Sequence, residues 1–395
     1  MGYIRTMSPS QYLRIALVND WYAPEIVGGV EKSVSELAGE ILRAGHHVKV
    51  FTPNQSFIRG CRKIDGVSIH YTPGLFLRKK YKVIALVQIL EKIRVLFDLI
   101  TPFYTLVCIK RYQPNFVIFH EIDRNGHWLL LLGRFFFKKE QLIRVHHDLS
   151  DSCFFRSRTR FGNVCMSLCA PCLPKSKINS YLSRMVKNNV SNSKFVAEEL
   201  QSLGFQTSAL NVGNPCTIRS SQLVVLPEKN ILFSIGFVGR ITKLKGIETI
   251  FHAASMLNPK RKIHCIGPIT LKYQSYLVAL ATQLQIEVFF HAPQPNPFEV
   301  LENLVDCIVV GSESLEAFGK IPIEASLAGI PVISTEAGGL GESLDYISPR
   351  PGVFLAKDSN SLATLIKNFE RPKYLKIEPT NQKTLSSVIF EKFGK

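Results

Sequence analysis

The amino-terminal part of the chain carries the pattern that most restricts its fold. Residues 13–18 form a short apolar run that predicts a buried strand, and residues 48–51 predict a second one. Between them, Gly28 and Gly29 precede residues 30–44, in which apolar side chains recur every three or four positions, as in an amphipathic helix. Such a βαβ unit belongs to a parallel sheet that is covered by helices on both faces.

The pattern recurs along the whole chain. Further strands are predicted at residues 116–119, 141–145 and 185–191, and a second series of strands and helices follows from residue 231. A chain of 395 residues also exceeds the length at which one core keeps growing. The sequence therefore predicts an α/β fold with two Rossmann-like, doubly wound parallel-sheet domains facing an interdomain cleft.

The predicted boundaries follow from this alternation. The first domain covers residues 1–215, the second covers residues 216–375, and residues 376–395 form a tail that packs back on the first domain. A stretch rich in proline and serine, residues 214–229, is the expected linker. Ligands of such sheets bind beyond the carboxyl ends of the strands, so the cleft is the expected site.

Two acids and a pair of glycines mark a candidate ligand site in the second domain. Glu316 lies in a loop after a predicted buried strand, and Glu324 lies two positions after Pro322, which suits the first turn of a helix. A carboxylate can accept both hydrogen bonds of a vicinal diol such as ribose. Gly338 and Gly339 let backbone N–H groups approach a ligand. The plainer interpretation is two solvated acids and a turn.

A basic loop precedes a predicted helix of the same domain. Arg240 and Lys245 follow the strand that ends near residue 238 and come directly before a helical stretch. Cations at this position suit a diphosphate, and they can stabilise the negative charge of a leaving diphosphate without a metal ion. A solvated basic loop is the alternative.

A pair of histidines ends a predicted strand of the first domain. His147, followed by Asp148, is placed to hydrogen-bond a hydroxyl or carbonyl oxygen near a reaction centre. By position alone, His146 is an equally good candidate, and a histidine at a strand end is often structural.

Four of the nine cysteines lie within twenty residues. They are Cys153, Cys165, Cys169 and Cys172. Four thiolates can hold a structural Zn²⁺, although a single CxxC spacing leaves reduced, packed thiols as the alternative.

The charge is concentrated in the first half of the chain. Residues 1–215 carry a net charge of +14, out of +17 for all 395 residues. This favours an anionic partner such as a membrane surface, and the basic, amphipathic residues 75–100 suit binding in the plane of an anionic membrane. A core helix with a basic end is the alternative. With no secretory signal and no uninterrupted apolar span, the expected location is cytoplasmic, peripheral on the inner membrane face.

These motifs together resemble the retaining GT-B glycosyltransferases of family four, across residues 13–346. The resemblance rests on the motifs described above and on residues 191–195 and 211–215. Some members also carry a cysteine-rich segment after the His-Asp pair. This chain departs from many relatives by having Gly311 before Ser312 and by lacking an aromatic residue at positions 313–315.

The resemblance implies a role for each motif. Arg240 and Lys245 would bind the donor diphosphate, Glu324 the ribose, and Glu316 and His147 the transferred sugar, while the loop of Gly28 and Gly29 would close over the phosphates. The expected reaction is metal-independent sugar transfer from a UDP-, GDP- or ADP-sugar to an acceptor hydroxyl, with retention. The acceptor would be a saccharide or lipid-linked saccharide in cell-surface polysaccharide or lipopolysaccharide assembly.

Two other functions remain open at this stage. A sugar-nucleotide epimerase would share the fold. A zinc-bearing nucleic-acid-binding protein would account for the charge and the cysteines, but it leaves Glu316 and Gly339 unexplained and the chain lacks an aromatic-basic nucleic-acid motif.

Overall fold

The computed structural model describes residues 12–22, 24, 28–54, 60–73, 98–123, 126, 128–154, 158–160, 163–165, 167–210, 222–226, 234–378 and 385–393. The chain divides into two compact units. The first contains residues 1–156, 168–215 and 382–395, and the second contains residues 157–167 and 216–381. The predicted membrane-binding segment at residues 75–100 and the predicted linker at residues 214–229 lie largely outside the described residues.

The first unit is built on an eight-stranded sheet with the strand order β10-β9-β6-β5-β1-β2-β4-β3. All neighbouring strands are parallel except β3, which is antiparallel to β4 at the edge. The strands are β1 (Arg14–Val18), β2 (His47–Asn54), β3 (Gly60–Ile64), β4 (Val67–Pro73), β5 (Phe116–Phe119), β6 (Leu142–His146), β9 (Asn188–Ser191) and β10 (Ser208–Ala209). A two-stranded ribbon of β7 (Thr159–Arg160) and β8 (Asn163–Val164) lies between β6 and β9 in sequence but is assigned to the second unit.

Helices cover both faces of this sheet. They are α1 (Gly29–Arg43), α2 (Ile100–Tyr112), α3 (Trp128–Phe136), α4 (Cys172–Ser183), α5 (Lys194–Gln201) and α12 (Leu385–Phe393). Alternate residues of β1 point to opposite faces, so Ile15 and Leu17 pack with α1 and α12, whereas Ala16 and Val18 pack with α2 and α3. The sheet is therefore the middle layer of a three-layer unit, as the βαβ pattern predicts.

The second unit has a six-stranded, fully parallel sheet with the order β14-β13-β12-β15-β16-β18. Its strands are β12 (Ser234–Val238), β13 (Lys262–Ile266), β14 (Val288–His291), β15 (Cys307–Val310), β16 (Val332–Ser334) and β18 (Gly352–Val353). The strand order reverses at β12, which has β13 on one side and β15 on the other. This switch point is where a doubly wound sheet leaves a crevice for ligands.

The helices of the second unit again form two layers. They are α6 (Ile247–Ser255), α7 (Leu271–Leu284), α8 (Pro297–Leu301), α9 (Ile321–Leu327), α10 (Leu340–Leu344) and α11 (Ser359–Lys367). One core joins the sheet to α6, α7 and α11, and a second lies under α8 and α9. A small antiparallel sheet of β11 (Gln222–Val225), β19 (Tyr374–Ile377) and β17 (Ile347–Ser348) packs against Phe318 and Ile323.

The last helix, α12, belongs to the first unit. Leu385 and Ile389 are buried in the same core as Leu37 and Ile41 of α1, and the hydroxyl of Ser386 donates a hydrogen bond of 2.7 Å to the Glu40 carboxylate. Among the described residues, no helix has both the length and the apolarity needed to cross a membrane.

Candidate active site

Lys245 and Glu316 form the centre of the site in the second unit. Lys245 ends a short 3₁₀ turn after β12, and Glu316 lies in the loop after β15, so the two neighbouring strands bring the ammonium and the carboxylate into direct contact. The hydroxyl of Ser312 donates a second hydrogen bond of 2.6 Å to the same carboxylate oxygen. Both side chains are only partly exposed, at 28% for Lys245 and 20% for Glu316.

The electrostatics keep Glu316 ionised. Burial alone would raise the pKa of Glu316, but the charge of Lys245, its hydrogen bond, the Ser312 hydroxyl and the more distant charge of Arg240 together lower that pKa below its ordinary value. The site therefore presents a carboxylate and two cations at neutral pH.

The backbone around this pair is packed too closely for side chains. Gly246 has φ of +72°, and a Cβ atom on it would lie 1.8 Å from the carbonyl oxygen of Gly311. At the end of β13, Gly267 has φ of +148°, and its Cβ would lie 1.8 Å from the carbonyl oxygen of Gly239. The loops after β12, β13 and β15 thus meet backbone to backbone at the carboxyl ends of these strands.

The predicted glycine pair lies directly against Glu316. Gly338 forms an isolated parallel bridge with Glu316, and the N–H of Gly339 donates to the Glu316 carbonyl at 2.7 Å. A Cβ on Gly339 would lie 2.3 Å from the carbonyl oxygen of Ala317. The glycines therefore pack on the loop that carries the acid, and their predicted approach to a ligand stays a prediction.

Glu324 occupies the predicted position in a helix. It lies in the first turn of α9, with Pro322 among the first two residues, and it is partly buried. Arg240 is exposed directly after Gly239, which has φ of +128°. The structure thus gathers Arg240, Lys245, Glu316, Gly338 and Gly339 at one end of the second sheet.

The first unit carries a separate buried polar cluster. His147, which follows β6, approaches His120, which follows β5, with 2.8 Å between His147 Nε2 and His120 Nδ1. The side-chain amide of Asn192 also donates to the His147 carbonyl at 2.9 Å. Sequence reasoning missed His120, although it ends a parallel strand just as His147 does.

His146 has a different set of partners. Its Nδ1 contacts the Asp151 carboxylate, which also accepts two hydrogen bonds, of 2.7 and 2.8 Å, from Arg144. Arg144 and Asp151 are each 3% exposed, so this is a buried ion pair. His146 and His147 therefore belong to two adjacent networks, a distinction that the sequence left open.

Asp148 is an acid in an unfavourable environment. It is partly buried, and burial raises its pKa to about 6, against hydrogen bonds from Ser150 that lower it. Nearby Asp123 and Asp151 raise it further.

Gly28 and Gly29 lie at the start of α1, where the surroundings leave room for a larger side chain at both positions. The Glu31 carboxylate accepts a hydrogen bond of 2.8 Å from the Gly28 N–H, and the Ser33 hydroxyl donates to the Gly29 carbonyl at 3.0 Å. A Cβ on Gly29 would meet nothing within 4 Å, and one on Gly28 would make only an ordinary contact.

All four cysteines of the predicted zinc site lie in the described part of the chain, and the site stays a prediction. Among the described residues, no three or more His, Cys, Asp or Glu side chains converge as metal ligands. Cys153 and Cys172 are both buried, with 3.7 Å between their sulfurs. Burial raises the pKa of Cys172 to about 12, and the neighbouring thiols of Cys169 and Cys153 raise it as well. Cys169 remains in the first unit, whereas Cys165 belongs to the second.

The chain thus consists of two α/β units, and the second has cations and a carboxylate at the switch point of its parallel sheet. Comparison with known proteins gives the family. Residues 27–212 match the family model Glycosyltransferase Family 4, and residues 223–373 match Glycosyl transferases group 1. The chain belongs to this family of glycosyltransferases, as the sequence resemblance predicted.

Two individual proteins show how far the sequence similarity extends. An uncharacterized 42.6 kDa protein in the cps region of Klebsiella pneumoniae is 24% identical over 89% of this chain and 92% of its own length. The D-inositol 3-phosphate glycosyltransferase of Corynebacterium urealyticum is 34% identical, but over only 27% of each chain. The chain thus spans about a quarter of that enzyme's length.

Solved structures confirm the fold. Anabaena HepE, in complex with UDP and glucose, has a TM-score of 0.60 at 15% identity and covers 90% of this chain and 89% of its own. The lipopolysaccharide outer core galactosyltransferase WaaB has a TM-score of 0.58 at 17% identity, covering 89% and 88%. The chain has the GT-B fold.

Proposed function

We propose that this glycosyltransferase moves a sugar from a nucleoside-diphosphate sugar to an acceptor hydroxyl, without a metal ion and with retention of the anomeric configuration. The observation that carries the proposal is the contact of Lys245 with the ionised Glu316 at the switch point of the second sheet. In this proposal Lys245 and Arg240 bind the diphosphate and stabilise its charge as it leaves. Glu316 is then released to bind the hydroxyls of the transferred sugar.

The other residues have proposed roles in the same reaction. Glu324 binds the ribose diol, and the Gly338 N–H contacts the donor, while Gly339, whose N–H donates to the Glu316 carbonyl, lets the backbone approach it. On the first unit, His147 hydrogen-bonds a sugar oxygen, and the backbone of Gly28 and Gly29 approaches the phosphates. HepE was solved with UDP and glucose, and a starch synthase of this fold with ADP, so uridine and adenosine donors head the candidates.

The donor assignment is tested by thermal stabilisation. Purified protein would be heated with UDP-, GDP- and ADP-sugars, together with the Glu324→Ala variant and the exposed-acid control Glu299→Ala. One nucleotide class should raise the melting temperature of the wild type and of Glu299→Ala but not of Glu324→Ala. Stabilisation by no nucleotide, or equal stabilisation of all three proteins, would contradict the assignment.

We further propose an acceptor in cell-surface polysaccharide assembly, presented at an anionic membrane on its cytoplasmic face. The cps-region relative and WaaB support this class of acceptor. In the first unit, Phe103 and Phe135 are 53% and 81% exposed on α2 and α3, beside exposed Arg134 and Lys138. Aromatic side chains among cations suit the interface of an anionic bilayer.

Vesicle binding tests the membrane proposal. The wild type should co-sediment with phosphatidylglycerol vesicles and not with phosphatidylcholine vesicles, and Phe135→Ser should weaken this binding. Equal binding of both proteins to both lipids, or binding to neither, would contradict it.

A further inference from the structure

The carboxyl ends of β5 and β6 bring two histidine rings together. His120 Nδ1 and His147 Nε2 are 2.8 Å apart, which is a hydrogen-bond distance, and the ring centroids are separated by 5.1 Å. His120 is fully buried, and His147 is 7% exposed. Their backbones are also fixed, since the N–H of His120 donates to the Val18 carbonyl and Asn192 binds the His147 carbonyl.

The hydrogen bond requires one proton between the two nitrogens, and either ring can supply it. Burial, together with the charge of Arg144, lowers the pKa of His120 to about 3, so this ring is neutral and carries a single N–H. If that proton is on Nδ1, His120 is the donor. If it is on Nε2, His120 Nδ1 accepts a proton from His147.

The surroundings of His120 decide between these arrangements. Its Nε2 is buried and has no hydrogen-bond partner within the described part of the chain. A proton there would be a buried donor without an acceptor, and such donors are rarer in proteins than buried acceptors without donors. The proton therefore belongs on Nδ1.

We propose that His120 is a positioning residue whose Nδ1–H donates to His147 Nε2 and holds His147 as the Nδ1–H tautomer. This inference rests on the proposed role of His147. It assigns His147 the part of a hydrogen-bond donor to a substrate oxygen. With Nε2 occupied by His120 and Nδ1 already protonated, His147 does not take the proton of the acceptor hydroxyl, which passes to another base.

Nitrogen NMR of the ligand-free protein tests the tautomer directly. Protein labelled with ¹⁵N-histidine would be compared with His147→Gln, which identifies the His147 signals among the ten histidines of the chain. We expect His147 in the wild type to carry its proton on Nδ1. His120→Leu should shift it toward the Nε2–H form, and His120→Asn, whose amide can donate in place of Nδ1–H, should restore the wild-type pattern. His252→Asn, at an exposed helical position, is the matched control and should change nothing.

Turnover supplies a second readout, with hydrolysis of UDP-glucose as the probe. His120→Leu should lower kcat about tenfold with a smaller change in KM, and His120→Asn should recover most of the loss. An Nε2–H tautomer in the wild type, or an unchanged His147 pattern in His120→Leu, would overturn the inference even if that variant is less stable. Because the tautomer is read without ligand, a wild type that neither binds nor hydrolyses any nucleotide sugar would count against the proposed function alone.

Discussion

The carbonyl oxygen of Gly311 lies only 1.8 Å from the position that a Cβ atom would take on residue 246. The loop after β15, which carries Glu316, therefore rests directly on the turn that carries Lys245 and ends at Gly246.

Replacing Gly246 by alanine should damage both fold and site. The new Cβ would collide with backbone, and φ of +72° is unfavourable for alanine, so we expect a loss of about 2–4 kcal/mol in the free energy of unfolding. Denaturant unfolding measures it. Gly60→Ala is the control, because nothing lies within 4 Å of its Cβ. Equal stability of the two variants would contradict the described contact.

Gly29→Ala should leave the stability of the fold intact but lower turnover. Its Cβ has open space at the start of α1, where alanine is a better helix former, so stability should stay equal or rise slightly. If the backbone of this loop approaches the donor phosphates, turnover should nevertheless fall. Unfolding and turnover measured on one preparation separate the two effects, and unchanged turnover would remove Gly29 from the proposed site.

Lys245→Ala should weaken nucleotide-sugar binding by about ten- to a hundredfold, because the partly buried cation that we propose to bind the diphosphate is lost. It also leaves Glu316 without its main counter-charge, so adding Glu316→Gln should recover some stability without recovering binding. Calorimetric titration measures the affinity. Lys262→Ala, which removes a more exposed cation paired with Glu287, should bind normally.

Asp148 should make the protein less stable as pH rises. Its pKa is raised to about 6 in the folded state, so between about pH 4 and pH 6 the folded protein binds more protons than the unfolded chain. The contribution of Asp148 to stability is therefore lost as pH increases through this window. Asp148→Asn can keep the hydrogen bond from the Ser150 N–H, and it should be more stable than the wild type by about 1 kcal/mol at pH 7 but not at pH 4. Melting temperatures measured across this range provide the test.

Much of the sheet architecture was readable from apolar periodicity. β5 has the predicted bounds, and those of β1 and β6 differ from the prediction by at most one residue at each end, since each is a short, largely apolar run. The edge strand β3 was missed because four of its five residues are exposed, and it has no buried stripe. Asp65 and Gly66, both at positive φ between β3 and β4, were a hairpin signal that the polar flanks obscured.

The candidate site, too, was only partly predictable from the sequence. Glu316 and Lys245 were singled out because each follows a predicted strand. Their contact depends on β12 and β15 being neighbours in the sheet, which the sequence does not show. The choice between His146 and His147 required the positions of Asp151 and His120, which come from other segments of the chain. The zinc site stays a prediction, because Cys153 and Cys172 lie close together but no group of three metal-ligating side chains is found among the described residues.

The return of α12 to the first unit has a consequence for how the protein is made. Leu385 and Ile389 complete a core whose other members, such as Leu37 and Ile41, leave the ribosome more than three hundred residues earlier. The apolar face of α1 is therefore not covered by α12 until the whole second unit has been synthesised. The amino-terminal unit is the first to emerge and the last to be finished, and in this interval its unfinished core is the surface that a chaperone would meet.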